Sequence, residues 1–234
     1  MELTSLLGRF KQITEKVFKP FAKILADLGL RPNHLTVIAF ILSVLTAYLI
    51  LVHDFAWAAV TLLAAGGCDL LDGLVARITN TVTIRGGFLD SVFDRYSDAV
   101  IIGAITFSGN CDPIWGVLAI FGSLLVSYVR ARAEVAGAKL SGIGLAERPE
   151  RLAIIAFFSF FNYSIHHELF NTVNYIDLFN AQGDILIRIS MLTYGLNFGM
   201  IILTILTQIT LLQRIWYAWK HLSGEPISHE KESS

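Results

Sequence analysis

The chain has 234 residues, of which 54% are hydrophobic and only 16% are charged. Its mean hydropathy of +0.61 excludes an ordinary soluble domain and is typical of a polytopic membrane protein. The formal net charge of −1 gives no indication of partners, and no nucleic-acid partner is expected. Two cysteines are too few for a disulfide framework.

Residues 1–30 are predicted to form an amphipathic helix that lies on the membrane surface. Apolar residues recur there at helical spacing from Leu3 to Leu28, and basic residues lie between them. Residues 31–221 are predicted to form one membrane domain, because they contain the long apolar stretches. Residues 222–234 are polar and are expected to be a tail.

Six stretches of the membrane domain are apolar and about long enough to span a bilayer. They are 34–52, 55–78, 87–108, 114–136, 149–166 and 185–212. Lys and Arg residues precede the first stretch, follow the second, fourth and sixth, and leave only Arg188 for the opposite side. The sequence therefore predicts an all-α integral membrane protein of the cell membrane, with six transmembrane helices and both termini in the cytoplasm.

Four aspartates lie at the cytoplasmic ends of the second and third predicted spans: Asp69, Asp72, Asp90 and Asp94. Within each pair the spacing is three or four residues, so both carboxylates share a helix face. Residues 78–86 are expected to form a tight turn, which makes the two helices antiparallel neighbours. Carboxylates gathered there cannot all stay ionised without a cation, and all-oxygen ligands suit Mg²⁺ or Mn²⁺. We expect two ions.

The surrounding residues complete a longer motif, D-x2-D-G-x2-A-R-x8-G-x3-D-x3-D. Its fixed positions are Asp69, Asp72, Gly73, Ala76, Arg77, Gly86, Asp90 and Asp94. This motif, together with the six spans and the preceding amphipathic helix, resembles the CDP-alcohol phosphotransferase family. The resemblance implies that the hydroxyl of an alcohol displaces CMP from a CDP-linked lipid, and that the protein is a homodimer.

The resemblance also implies roles for individual residues. Asp69, Asp72 and Asp90 would be metal ligands, and Asp94 would be the base that takes the acceptor's proton and a further metal ligand. The CDP-linked lipid would be bound by Asn33, Thr36, Gly73, Ala76, Arg77 and Gly86. Glycine leaves room for a nucleotide to approach the backbone, and a planar guanidinium can clamp a phosphate. Pro32 and Asn33 could instead cap the first span.

Two cytoplasmic segments bear on which alcohol is the acceptor. They are "SYVRARAE" at 127–134 and "GLAERPERL" at 144–152. Both resemble the inositol-phosphate branch of the family, which implies inositol 1-phosphate as acceptor and the following phosphate-binding residues: Arg130, Arg132, Arg148 and Arg151. The second segment resembles archaeal members, whose lipid would be CDP-archaeol; CDP-diacylglycerol stays open. Positive charge on the cytoplasmic side alone could account for part of this cluster.

Other hypotheses remain open at this point. Glycerol 3-phosphate also carries a phosphate, and CDP-inositol would be the co-substrate of a soluble-headgroup variant of the family. In a different class, the carboxylates could form the cation site of a divalent-cation transporter. Asp98 lies outside the motif and is expected to support the site, and Arg95 is expected to pair with a carboxylate.

Overall fold

The computed structural model describes residues 17–140, 142–173 and 181–222, and within 165–173 and 181–194 it describes the backbone alone. Every regular element in these ranges is a helix. The helices are α1 (17–27), α2 (Pro32–Leu51), α3 (Phe55–Ile78), α4 (Ile84–Phe107), α5 (Pro113–Val135), α6 (Arg148–Val173) and α7 (Ala181–His221). Residues 1–16 of the expected amphipathic helix and residues 223–234 of the expected tail lie outside the described residues.

Helix starts are set by local chemistry. Proline occupies the first turn of α2 and of α5, where its missing N–H is tolerated. The side chain of Asp112 accepts the N–H of Ile114 at 3.0 Å at the start of α5. Thr83 caps α4 by accepting the N–H of Gly86 at 3.1 Å, so that helix begins three residues before its predicted span.

The suggestion that Asn33 caps the first span is wrong. The N-cap of α2 is Arg31 and its first residue is Pro32, which places Asn33 inside the first helical turn.

Helices α6 and α7 extend furthest beyond their predicted spans. Helix α6 continues to Val173, and α7 has 41 residues, which at about 1.5 Å per residue gives about 60 Å. The sequence predicted that the last span ends at residue 212, shortly before the charge of Arg214. That side chain is instead buried, and backbone carbonyls of Ile143 and Val126 accept its hydrogen bonds, so the helix continues through it.

The helices pack around a main apolar core, and two smaller apolar clusters lie beside α1 and beside the α5–α6 turn. Helix α2 contacts α3 and α4, α3 contacts α6, and α7 contacts α5 and α6. Ile50, Leu62, Ile105 and Leu203 are completely or almost completely buried at these contacts. Buried alanines of α2, α3 and α5 belong to the same core, and such small residues let helix backbones approach closely.

Four described helical segments are long and apolar enough to cross a membrane: Pro32–Leu51, Phe55–Ile78, Pro113–Val135 and Gly195–His221. Helix α4 has 24 residues and is long enough to cross a membrane, but its first 15 residues carry five charged side chains: Arg85, Asp90, Asp94, Arg95 and Asp98. Charged side chains are costly inside a bilayer and mark functional sites there. The charges of α4 therefore indicate a functional site at the end of the bundle where that helix begins.

Candidate active site

Three carboxylates meet where the end of α3 faces the beginning of α4. Oxygen atoms of Asp69, Asp72 and Asp90 all lie within 4.8 Å of one another. The short connection after Ile78 turns the chain back, which brings the last turns of α3 against the first turns of α4. The predicted face-to-face arrangement of these two acidic pairs is thus observed for three of the four aspartates.

Asp72 is the most enclosed of the three, with 7% of its surface exposed. Its Oδ2 accepts a hydrogen bond of 2.6 Å from the hydroxyl of Thr36 on α2. Thr36 therefore touches the carboxylate cluster directly, through a bond between residues 36 positions apart in the chain.

Asp94 lies beside this trio and is held by arginines. Arg148 Nη1 lies 2.8 Å from Asp94 Oδ1, and Arg95 Nη1 lies 3.4 Å from Asp94 Oδ2. The same Nη1 of Arg148 lies 2.5 Å from Asp69 Oδ1. A single guanidinium at the start of α6 thus bridges an aspartate of α3 and an aspartate of α4.

The donor set of the trio fits a hard divalent cation. The three groups supply only carboxylate oxygen, which is the ligand type that Mg²⁺ and Mn²⁺ prefer. Asp90 Oδ1 is buried and has no hydrogen-bond donor among the described residues. A buried acceptor without a donor is costly, and a cation would satisfy it.

Asp98 forms a second buried charge pair, which the motif does not contain. Arg151 Nη2 lies 2.5 Å from Asp98 Oδ2, and the two side chains are 4% and 6% exposed. Arg151 Nη1 also donates to the carbonyl of Ala146 at 3.2 Å. Arg148 Nε lies 3.7 Å from the other oxygen of Asp98, so both arginines of the first turn of α6 face this carboxylate.

A polar cavity of about 160 Å³ opens beside these pairs. Three of the four arginines expected to bind the acceptor phosphate line it, namely Arg130, Arg148 and Arg151. Asp94 lines it as well, which places an aspartate and the arginines around one space. Arg132 is exposed and is not among the lining residues.

Two charged residues that line the cavity, Glu147 and Arg214, were not predicted from the sequence to belong to the site. Arg214 of α7 is 3% exposed and its Nη2 lies 3.2 Å from Glu147 Oε1. The available signal was a single arginine within an otherwise apolar helical run, "ITLLQRIWYAW", but its proximity to the C-terminus made it resemble an ordinary cytoplasmic charge.

The remaining predicted residues lie around the α3–α4 turn. A Cβ on Gly86 would come within 3.2 Å of Asn33 Oδ1 and 3.0 Å of Thr83 Oγ1, so the backbone of this turn is closely approached by two polar groups. A Cβ on Gly73 would lie 3.4 Å from an amino group of Arg77. Ala76 and the exposed Arg77 belong to the last turn of α3, on the same side of the protein as the carboxylates.

The fold and the site define a helical membrane protein with a carboxylate centre suited to a divalent cation. The family model of the CDP-alcohol phosphatidyltransferases matches residues 30–220, and the chain belongs to this family. It is therefore an enzyme of phospholipid biosynthesis, a CDP-alcohol phosphotransferase, and the alternative of a divalent-cation transporter is set aside.

Individual relatives are similar over nearly the whole chain. An archaetidylinositol phosphate synthase of Pyrococcus horikoshii is 35% identical over 222 residues, which are 94% of this chain and 98% of that protein. The crystal structure of the Mycobacterium tuberculosis phosphatidylinositol phosphate synthase with CDP-DAG bound has a TM-score of 0.68 and 25% identity, and the match covers 91% of this chain and 99% of that one. The same enzyme in complex with manganese and citrate has a TM-score of 0.68 and 26% identity, with coverage of 90% and 93%.

Proposed function

We propose that this enzyme transfers the lipid together with its attached phosphate from a CDP-linked lipid to a hydroxyl of inositol 1-phosphate and releases CMP. The observation that carries the proposal is the arginine-lined cavity beside the carboxylate cluster, because an acceptor that bears its own phosphate needs such a cavity. The names of the relatives support the same acceptor.

In the proposed reaction, an oxygen of an inositol hydroxyl attacks the phosphorus that bears the lipid. One P–O bond forms there, and the bond from that phosphorus to the oxygen bridging to CMP breaks. CMP leaves with the bridging oxygen, and the hydroxyl proton passes to a carboxylate of the enzyme. No oxidant or further reactant is required.

Asp94 is the proposed proton acceptor. It is the one aspartate of the motif that lines the cavity, and Arg148 and Arg95 fix its two oxygens from separate directions. A base must lie within hydrogen-bond reach of the proton that it removes. An acceptor whose phosphate contacts the cavity arginines would have its hydroxyl close to Asp94.

Asp69, Asp72 and Asp90 are the proposed ligands of Mg²⁺ or Mn²⁺, with Asp94 able to complete the coordination of a second ion. When bound there, such ions would neutralise the pyrophosphate and stabilise the charge that develops on departing CMP. Thr36 orients Asp72 through its hydroxyl. This support from a neighbouring group keeps a ligating carboxylate in one position.

The CDP-linked lipid would lie against the α3–α4 turn. A side chain at Gly86 would crowd Thr83 Oγ1 and Asn33 Oδ1, and the small residues Gly73 and Ala76 leave space on the facing surface of α3. Arg77 at the end of α3 would contact a phosphate of the nucleotide. CDP-archaeol and CDP-diacylglycerol carry the same CDP group on different lipids, and similarity to an archaeal relative favours CDP-archaeol.

Arg130, Arg148 and Arg151 are the proposed contacts of the acceptor phosphate, with Arg132 a more distant positive charge. Glycerol 3-phosphate is the competing acceptor, since the same arginines would bind its phosphate. The proposal also includes six membrane spans, both termini and the active site on the cytoplasmic side of the cell membrane, and assembly as a homodimer among membrane lipids. The domain limits 1–30, 31–221 and 222–234 belong to the same proposal.

Two arginines of α5 provide a matched test of the acceptor site. Arg130→Ala removes a lining side chain, whereas Arg132→Ala removes an exposed one two residues away. We expect Arg130→Ala to raise the KM for inositol 1-phosphate about tenfold and to leave the KM for the CDP-linked lipid unchanged. Arg132→Ala should change both values by less than about twofold. Equal effects of the two substitutions, or equal effects on both substrates, would contradict the assignment.

A further inference from the structure

The turn that leads into α6 is held by a buried threonine of α7. Thr210 Oγ1 accepts the backbone N–H of Leu145 at 3.0 Å and that of Ala146 at 2.9 Å. Both Thr210 and Ala146 are completely buried. The two bonds join residues that lie 64 and 65 positions apart in the chain, so they fix the turn to a different part of the bundle.

The turn is shaped to accept this threonine. Gly144 has φ +124°, a backbone conformation that residues with a Cβ rarely adopt. A Cβ at Gly144 would overlap the methyl group of Thr210. Arg214, one turn further along α7, donates its Nε–H to the carbonyl of Ile143 at 2.8 Å. Two consecutive turns of α7 therefore form hydrogen bonds with the same short stretch, residues 143–146.

Residues 143–146 lead directly into the first turn of α6, which carries two of the arginines that line the cavity. Arg148, the first residue of α6, follows Ala146 by two positions. The carbonyl of Ala146 accepts a hydrogen bond of 3.2 Å from Arg151, and Arg151 in turn pairs with Asp98. Ala146 is thus bonded on one side to Thr210 and on the other to a cavity arginine. A shift of this peptide would move the first turn of α6 relative to the carboxylates.

We propose that Thr210 is a positioning residue for acceptor binding: by anchoring the turn at Leu145 and Ala146 it sets the placement of Arg148 and Arg151 in the cavity. This inference rests on the proposed function, in which those arginines hold the acceptor phosphate. Thr210 itself does not line the cavity, so its effect is transmitted through Ala146.

The test compares three variants of α7. Thr210→Ala leaves the buried N–H of Ala146 and the partly buried N–H of Leu145 without their acceptor, which is unfavourable unless the turn moves. Thr210→Ser keeps the hydroxyl. Thr207→Ala is the matched control, because Thr207 is equally buried, but its hydroxyl donates to the carbonyl of Thr204 in its own helix, at 2.9 Å, and bonds to no other element among the described residues.

Steady-state kinetics would be measured in detergent with each substrate varied in turn. Thr210→Ala should raise the KM for inositol 1-phosphate about tenfold and leave the KM for the CDP-linked lipid within about twofold. Thr210→Ser and Thr207→Ala should resemble the wild type. The proposal is overturned if Thr210→Ala leaves the acceptor KM unchanged, if both KM values rise together, or if Thr207→Ala has the same effect.

A second variant and the activity of the wild type separate a folding defect, a failure of this proposal and a failure of the proposed function. If Thr210→Ala does not fold, Gly144→Ala disturbs the same contact from the other side, and the same criteria apply to it. Failure of the proposed function would be visible in the wild type, as no CMP release with inositol 1-phosphate. The variants would then be assayed with the acceptor that the wild type does use, so the two failures are distinguishable.

Discussion

Arg148 is the residue that joins the two parts of the site. Its guanidinium contacts Asp69 on α3 and Asp94 on α4, and the same side chain lines the cavity. A planar guanidinium presents several N–H groups in fixed directions, whereas the ammonium of lysine is a single charge on a flexible stem. Substitution by lysine at this position would therefore keep the charge and lose the bridge.

The role of Asp94 can be separated from that of the neighbouring aspartates. Asp94→Asn is expected to lower the rate of CMP release by about 10²–10⁴-fold, because the amide cannot take the acceptor's proton. Binding of one Mn²⁺ by the trio of Asp69, Asp72 and Asp90, measured by electron paramagnetic resonance, should persist, whereas a second ion that Asp94 helps to hold should bind more weakly. Asp69→Asn is the control and should weaken Mn²⁺ binding. Turnover near that of the wild type in Asp94→Asn would rule out the base assignment.

At the scale of elements, the charges between α4 and α6 stabilise the helix arrangement as well as the site. Asp98 and Arg151 are almost completely buried and 53 positions apart in the chain. Removing Asp98 leaves the charge of Arg151 buried without its partner, and removing Arg151 leaves Asp98 with only the more distant Nε of Arg148, at 3.7 Å. Either Asp98→Ala or Arg151→Ala should therefore destabilise the protein by about 3–5 kcal/mol.

The double variant distinguishes a direct ion pair from independent losses of stability at the two positions. Asp98→Ala combined with Arg151→Ala should cost clearly less than the sum of the single substitutions, as thermal unfolding in detergent would measure. The pair Arg130–Glu134 is the control, because both side chains are more than one-third exposed and such pairs contribute about 0–1 kcal/mol. Additive losses for Asp98 and Arg151 would contradict a direct ion pair.

Sequence patterns predicted the elements well and their long-range pairings poorly. The aspartates of α3 and α4 were located because their spacing and the short turn between the helices are local features. The anchoring of the α5–α6 turn by Thr210 and Arg214 was not predicted, because it depends on how α7 packs against residues more than 60 positions earlier. Asp98 lies one turn beyond the motif, so its pairing with Arg151 follows only from the packing of α6 on the bundle.

At the scale of the whole molecule, the proposed topology places the α2–α3 turn outside the cell and the α5–α6 turn inside. Cysteine labelling can test this with probes at Val52, which is 51% exposed, and at the exposed Lys139. The native Cys111 should not react with the label, because burial raises the pKa of its thiol to about 11 and the thiolate is the reactive form. Cys68 would be replaced by alanine.

A membrane-impermeant maleimide should label Val52→Cys in intact cells and Lys139→Cys only after permeabilisation. The reverse pattern would place the active site on the outer face. Labelling of both positions in intact cells would contradict the proposed number of spans between them.

The central claim is that the chain joins a CDP-linked lipid to a phosphorylated inositol, and CMP release by the purified wild-type enzyme tests it most directly. The enzyme would receive Mg²⁺, CDP-archaeol or CDP-diacylglycerol, and separately inositol 1-phosphate, free inositol, glycerol 3-phosphate or serine. We predict Mg²⁺-dependent CMP release with inositol 1-phosphate and none with free inositol or serine, since only a phosphorylated acceptor uses the arginine-lined cavity. Release with glycerol 3-phosphate alone, or with free inositol as readily as with its phosphate, would contradict the account.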